Sequence, residues 1–279
     1  MWYFGTAGTP DNYTGRGTPG IFPWLRQLGL NGFEYQCGKG VRVSPETAAA
    51  VGSAAKENGI RLSLHAPYFI SLSSVDKQKR LNSIDYILQS ALAADMMGAE
   101  RIIVHSGSLS GMEREEATAL AAETLRYAML ALDEAGLGHI TVCPETMGKQ
   151  NQLGTVEEVC EFCTIDERMI PCVDFGHLYA RSLGQINDYQ GFLKVLEVIE
   201  NTLGLDRLRR LHIHFSHIEY TKGGEKKHLN FEDGLFGPDF EPVCEALLKK
   251  GVEPMIISES AGKQDEDSLE MKRIYEELK

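Results

Sequence analysis

Residues 101–105 read RIIVH, residues 113–135 read EREEATALAAETLRYAMLALDEA, and residues 139–145 read HITVCPE. The outer two are apolar runs of strand length, and the middle one spaces its apolar side chains as an amphipathic helix does. Strand, helix and strand in that order form a unit whose strands lie parallel, since parallel neighbours need a long crossover between them. Strands of this kind are covered on both faces, so their runs are nearly continuous rather than alternating.

The same alternation continues in both directions. Further strand candidates are WYFG from Trp2, GFEYQ from Gly32, IRLSLH from Ile60, MIPCVD from Met169, RLHIHF from Arg210 and PMIISE from Pro254, which makes eight with the two above. Helical spacing covers 45–57, 75–97, 155–163, 186–203, 239–250 and 266–278 as well as 113–135. Ser44-Pro45 is a helix-start signal, and Gly98, Gly136 and Gly251 follow last turns. Eight repeats with no linker or composition break predict a single (β/α)8 TIM barrel over 1–279, with eight parallel strands and outer helices; about 250 residues is the usual size of such a barrel.

Composition narrows the function classes. With 28 basic and 40 acidic residues the chain carries −12, which disfavours a polyanion partner unless bound cations change the local field. Cys37, Cys143, Cys160, Cys163, Cys172 and Cys244 show no disulfide framework, and the lone Cys160-Cys163 CxxC has no second pair to complete a zinc site. The first ten residues, MWYFGTAGTP, lack a signal-peptide pattern, and no apolar window reaches membrane-spanning length. The expectation is a cytoplasmic protein with no membrane or protein partner.

Chemistry collects at the strand exits. His65, His105, Glu145, Asp174 and Glu259 each close a strand-like run, and LHIHFS adds His212 and His214 on one side of another. His177 and His228 are expected in the loops that follow. In a barrel the carboxyl ends of the strands share one face, so these residues converge although they are far apart in sequence. Imidazole and carboxylate donors together suit zinc or manganese, and carboxylates bridge paired ions that hydrolyse phosphodiesters. His214, nearer the strand exit, is preferred over His212 as a ligand. His139 starts a strand and belongs to the opposite face.

Six segments together resemble endonuclease IV, the zinc-dependent apurinic/apyrimidinic endonuclease family: HAPYFISL from His65, VHSGS from Val104, PETMGKQNQLGT from Pro144, CVDFGHLYARSL from Cys172, HFS from His214 and IISES from Ile256. The resemblance implies two or three zinc ions and incision of DNA 5′ to abasic sites. By it, His65, His105 and Glu145 would hold the first ion. Glu145, Asp174, His214 and Glu259 would hold the second, and His177 and His228 the third. Glu145 and Glu259 would carry catalysis. Tyr68 would probe the lesion, with Lys39 and Arg42 available to phosphates.

One departure affects the third ion. The family has an aspartate two residues before the last histidine, where GGEKKH places Lys226. Glu225, one residue earlier, is the available substitute, and Lys226 could instead face the leaving oxygen. The rival expectation is a sugar isomerase or epimerase of the wider xylose isomerase-like superfamily, which needs a single ion on Glu145, Asp174, His214 and Glu259. A metal-dependent binding module is a third.

Overall fold

The computed structural model describes all 279 residues. Its strands are β1 (Tyr3–Ala7), β2 (Gly32–Gln36), β3 (Arg61–His65), β4 (Arg101–His105), β5 (Thr141–Glu145), β6 (Cys172–Asp174), β7 (His212–Phe215), β8 (Ile218–Thr221), β9 (Gly224–His228) and β10 (Met255–Ser258). The helices are α1 (Ile21–Leu28), α2 (Pro45–Glu57), α3 (Lys77–Met97), α4 (Arg114–Glu134), α5 (Val156–Cys163), α6 (Phe175–Arg181), α7 (Tyr189–Leu203), α8 (Leu205–Arg209), α9 (Phe240–Lys250) and α10 (Gln264–Leu278). Eight parallel strands close in the order β1-β10-β7-β6-β5-β4-β3-β2, so the expected barrel is the observed one. No helix is long and apolar enough to cross a membrane.

Local signals fix where the helices begin and end. Ser44 Oγ accepts from the Thr47 amide with Pro45 in the first turn of α2, and Thr155 and Glu158 form a reciprocal capping box at α5. Each such cap contributes about 1 kcal/mol by satisfying amides the helix leaves free. Gly98 and Gly251 close α3 and α9 in the left-handed conformation. One large apolar core then fills the space between the strands and the surrounding helices, and all six cysteines are free and buried. Cys160 and Cys163 belong to that core, from α5.

Besides the short helices α1 and α8, which the sequence reading does not anticipate, three features depart from it. Several strands are shorter than their apolar runs, β6 most of all, because Met169, Ile170 and Pro171 pack before the ladder begins. β6 passes directly into α6, with Asp174 as its N-cap, so His177 is a helical residue and not a loop residue. The segment carrying His228 is likewise no loop: β8 and β9 form an antiparallel hairpin outside the barrel, turned by Lys222 and Gly223.

The hairpin is pinned to the loop after β5. Glu225 N donates to Gly148 O at 3.0 Å, and Gln150 N donates to Gly223 O at 2.9 Å. Gly224, at φ +88°, makes this approach possible, since a Cβ there would stand 2.2 Å from Gly148 O.

Candidate metal centre

The strand exits deliver their side chains to one cleft of about 280 Å³, whose walls include His65, His105, Glu145, His177, Glu225, His228 and Glu259. Five donor groups are nested in and beneath it: His65, His105 and Glu145; Glu145, Asp174, His214 and Glu259; His177, Glu225 and His228; and, deeper, Glu34 with His65, His214 and Glu259, and Cys172 with His212 and His214. Within each group the potential ligand atoms lie within 4.8 Å of one another.

Glu145 joins the first two groups. Its Oε2 faces His65 Nε2 at 3.5 Å and His105 Nε2 at 3.4 Å, while Oε1 faces His214 Nδ1 at 3.0 Å. One carboxylate thus divides its oxygens between two sets of donors. Asp174 uses Oδ1 to accept from the His177 amide at 2.7 Å, which caps α6 and leaves Oδ2 buried 3.2 Å from His177 Nδ1.

Several imidazoles are oriented through their second nitrogen. His65 Nδ1 donates to Ala66 O at 2.8 Å and His177 Nδ1 to Thr146 O at 2.9 Å, so Nε2 of each is left for the cleft. His228 Nδ1 pairs with Ser216 Oγ at 2.9 Å. Fixing one ring nitrogen on a protein partner sets the tautomer and aims the other, the usual arrangement of a metal-binding histidine.

The third group has its own geometric solution. In the β8–β9 ladder Glu219 pairs with Lys227 and Tyr220 with Glu225, so Lys226 is an extra residue bulged out of the pairing. The bulge brings Glu225 and His228, three apart in sequence, to the cleft together, and Glu225 Oε2 lies 3.5 Å from His177 Nε2. Lys226 points outward and pairs with Glu219 at 2.6 Å. Its expected approach to the site is therefore not seen, for the bulge turns it to solvent. Lys39 and Arg42 are exposed and also lie off the cleft walls, which that loop reaches through Gly38. Tyr68 does line the cleft, at its rim, 60% exposed.

Several residues of the site escaped the sequence reading, Gln36 and Met147 of the cleft wall among them. Lys149 and Gln152, from the loop after β5, line the cleft. Glu34, in the middle of β2, is fully buried and contacts His212 Nε2 at 2.9 Å and His214 Nε2 at 3.1 Å. The signal for Glu34 was an acid inside a strand otherwise bound for the core. His139, by contrast, sits where expected, exposed before β5 and 2.8 Å from Asp95.

Electrostatics favour a cation. Every ion pair made by Glu34, Glu145, Asp174, Glu225 and Glu259 is to a histidine, and none is to Lys or Arg. Glu145 Oε2 and Asp174 Oδ2 are buried without a hydrogen-bond donor, a loss of about 1–3 kcal/mol each that a bound ion would offset. Burial pushes the Asp174 carboxyl up, toward protonation. Burial also disfavours charge on His65 and His177, but Glu145 beside the first and Asp174 with Glu145 beside the second raise both to about 9. At His105 burial, with the neighbouring charges of His65, His177 and His214, outweighs Glu145, and the ring falls to about 4. The carboxylates call for positive charge, which divalent ions would supply, and the mixed nitrogen and oxygen donors fit zinc or manganese.

Comparison with known proteins agrees with this architecture. The pattern described as xylose isomerase-like TIM barrel matches residues 22–277. The chain is 33% identical to the uncharacterized protein MJ0133 of Methanocaldococcus jannaschii, over 100% of this chain and 98% of that protein. It is 30% identical to "Probable endonuclease 4" of Acholeplasma laidlawii, over 70% of this chain and 64% of the relative, so the match spans less than two thirds of that relative. Endonuclease IV from Thermus thermophilus superposes with a TM-score of 0.71 at 19% identity, covering 100% of this chain and 99% of that one. A D-tagatose 3-epimerase-like protein superposes with a TM-score of 0.75 at 18% identity, covering 99% and 97%. At these identities the two superpositions speak for the shared barrel alone.

Proposed function

The chain belongs to the xylose isomerase-like TIM barrel family, and from that membership we propose a metal-dependent phosphodiesterase of the endonuclease IV type that cleaves DNA 5′ to abasic sites. The observation that carries this reading is Glu145, whose two oxygens face separate donor groups that meet a third in the same cleft. A carboxylate so placed would serve two bound ions, which would supply the charge stabilisation that displacement at phosphorus needs. The match to "Probable endonuclease 4" of Acholeplasma laidlawii supports the same class.

On this reading His65, His105 and Glu145 hold one ion, Glu145, Asp174, His214 and Glu259 a second, and His177, Glu225 and His228 a third. Bound zinc or manganese supplies Lewis acidity to the phosphoryl oxygens and makes water a nucleophile at neutral pH. The chain's own residues do the rest. Glu259 stands at the cleft wall, 17% exposed, where it can orient an attacking water and accept its proton. Lys149 adds a positive charge to the wall for the phosphate chain, which an acidic protein otherwise lacks. Tyr68, exposed at the rim, offers an aromatic face to the gap left by the missing base. With Lys226 turned outward, the group of His177, Glu225 and His228 is the provision for the departing 3′ oxygen.

A single-ion sugar epimerase is the second reading, favoured by one donor group that would suffice for one ion. It employs Glu145, Asp174, His214 and Glu259 and leaves His65, His105, His177, Glu225 and His228 without a task. The test is incubation of the zinc-reconstituted protein with an end-labelled duplex containing one abasic site. A single cut on its 5′ side is expected. An intact duplex, with ketohexose epimers interconverted instead, would overturn the proposal.

A further inference from the structure

Beneath the ligand groups lies a second buried layer. Glu34 is level with Ser63 in the β2–β3 register, and Gln36, two residues on, is level with His65. Glu34 therefore sits one side-chain layer deeper than the first donor group. Its Oε2 accepts from Ser63 Oγ at 2.8 Å and from His212 Nε2 at 2.9 Å, and its Oε1 accepts from Gln36 Nε2 at 3.2 Å. His214 Nε2 stands 3.1 Å from the same Oε1, close enough for charge contact though not yet aligned as a hydrogen bond. The opposite nitrogen of that ring, Nδ1, faces Glu145 at 3.0 Å and Glu259 at 3.6 Å.

We infer that Glu34 is a positioning residue: its carboxylate holds the His214 ring by Nε2 so that Nδ1 is presented to the donors Glu145, Asp174 and Glu259, while Ser63, His212 and Gln36 hold the carboxylate. This rests on the metal reading above. A Glu34 oxygen also lies within reach of His65, His214 and Glu259, but Ser63, His212 and Gln36 already donate to its two oxygens, so support of His214 is the role inferred for it. An imidazole whose far nitrogen donates to a carboxylate binds metal in one tautomer and one orientation, and is the more basic for it. The same layer assigns His212 its role. Its ring serves Glu34 and lies too deep to reach the cleft.

The test is a titration of metal-free wild type, Glu34→Ala and Glu34→Gln with zinc against a chromophoric chelator, beside ¹⁵N–¹H spectra of the histidines in the loaded wild type. For Glu34→Ala one ion is expected to bind about 10–100-fold more weakly, the scale of lost outer support, with the others unchanged. Glu34→Gln, which keeps an acceptor oxygen, is expected to recover part of that loss, and it carries the test should the alanine variant not fold. The His214 signal is expected to show a proton on Nε2 and none on Nδ1. Unchanged affinity in both folded variants, equal weakening of every ion together with a lower melting temperature of the metal-free form, or outright disappearance of one ion at saturating zinc would each overturn the inference. A wild type that binds no zinc would instead defeat the functional reading itself, visibly before any substitution is made.

Discussion

His65, His105, Glu145, Asp174, His214 and Glu259 stand on barrel strands or at their exits, whereas Glu225 and His228 stand on a hairpin outside the barrel. The first set inherits its geometry from a closed parallel ladder and the core beneath it. The second depends on a bulge at Lys226, two backbone hydrogen bonds to the loop after β5, and one glycine that lets the two segments touch. Both regions face the same cleft, yet one is fixed by the fold and the other by a local attachment. The strand-borne groups should therefore tolerate no change in donor, while the hairpin-borne group should be separable from them.

Replacing Glu145 with Gln attacks the rigid half directly. Incision is expected to fall on the order of a thousandfold or more, the equivalent of several kcal/mol of charge stabilisation, with fewer ions retained per chain. Turnover near the wild-type level in a folded E145Q would break the comparison at its stronger side. Protons compete in both halves, since His65 and His177, each raised to about 9 in the ligand-free cleft, must be neutral to bind metal. The sign follows: groups protonated below about 9 release protons on metal binding, so affinity rises with pH and flattens above that value. Roughly tenfold per unit is expected for each ion that displaces one proton, read by isothermal titration in buffers of differing ionisation enthalpy.

The hairpin is tested by Gly224→Ala, which forces a side chain at φ +88° into Gly148 O. One ion is expected to weaken about tenfold, as when a supporting contact is lost, while the remaining ions and the melting of the barrel change little. Simultaneous loss of all ions in chelator competition would mean that the two regions are not separable. The smallest effect belongs to Lys226→Ala. Its exposed pair with Glu219 contributes about 0.2–1 kcal/mol at most, and metal content and incision kinetics should match the wild type; a large loss of rate would return Lys226 to the cleft.

The same division explains what could be read from the sequence. Residues at the ends of apolar strands carry a positional signal, because barrel closure gathers strand exits whatever their separation in the chain. His65, His105, Glu145, Asp174, His214 and Glu259 were legible for that reason. Glu34 was not, since a lone acid in GFEYQ says nothing of the two histidines that β7 brings to it across the barrel. The hairpin was hidden by composition: TKGGEKKH is charged and glycine-rich, as a loop is. Counting by twos along it then points to Lys226, and the bulge that moves Glu225 into its place is a property of strand pairing, with no trace in the strand's own residues. His177 lines the cleft from α6 and not from a loop, because Asp174 ends a strand and caps a helix at once.

The account turns on several ions sharing Glu145. Elemental analysis of the zinc-reconstituted, gel-filtered protein, counted per chain, tests this most directly. Two or three ions are predicted, falling by at least one in E145Q; a single ion in the wild type, unaltered by removal of His65 or His105, would contradict it.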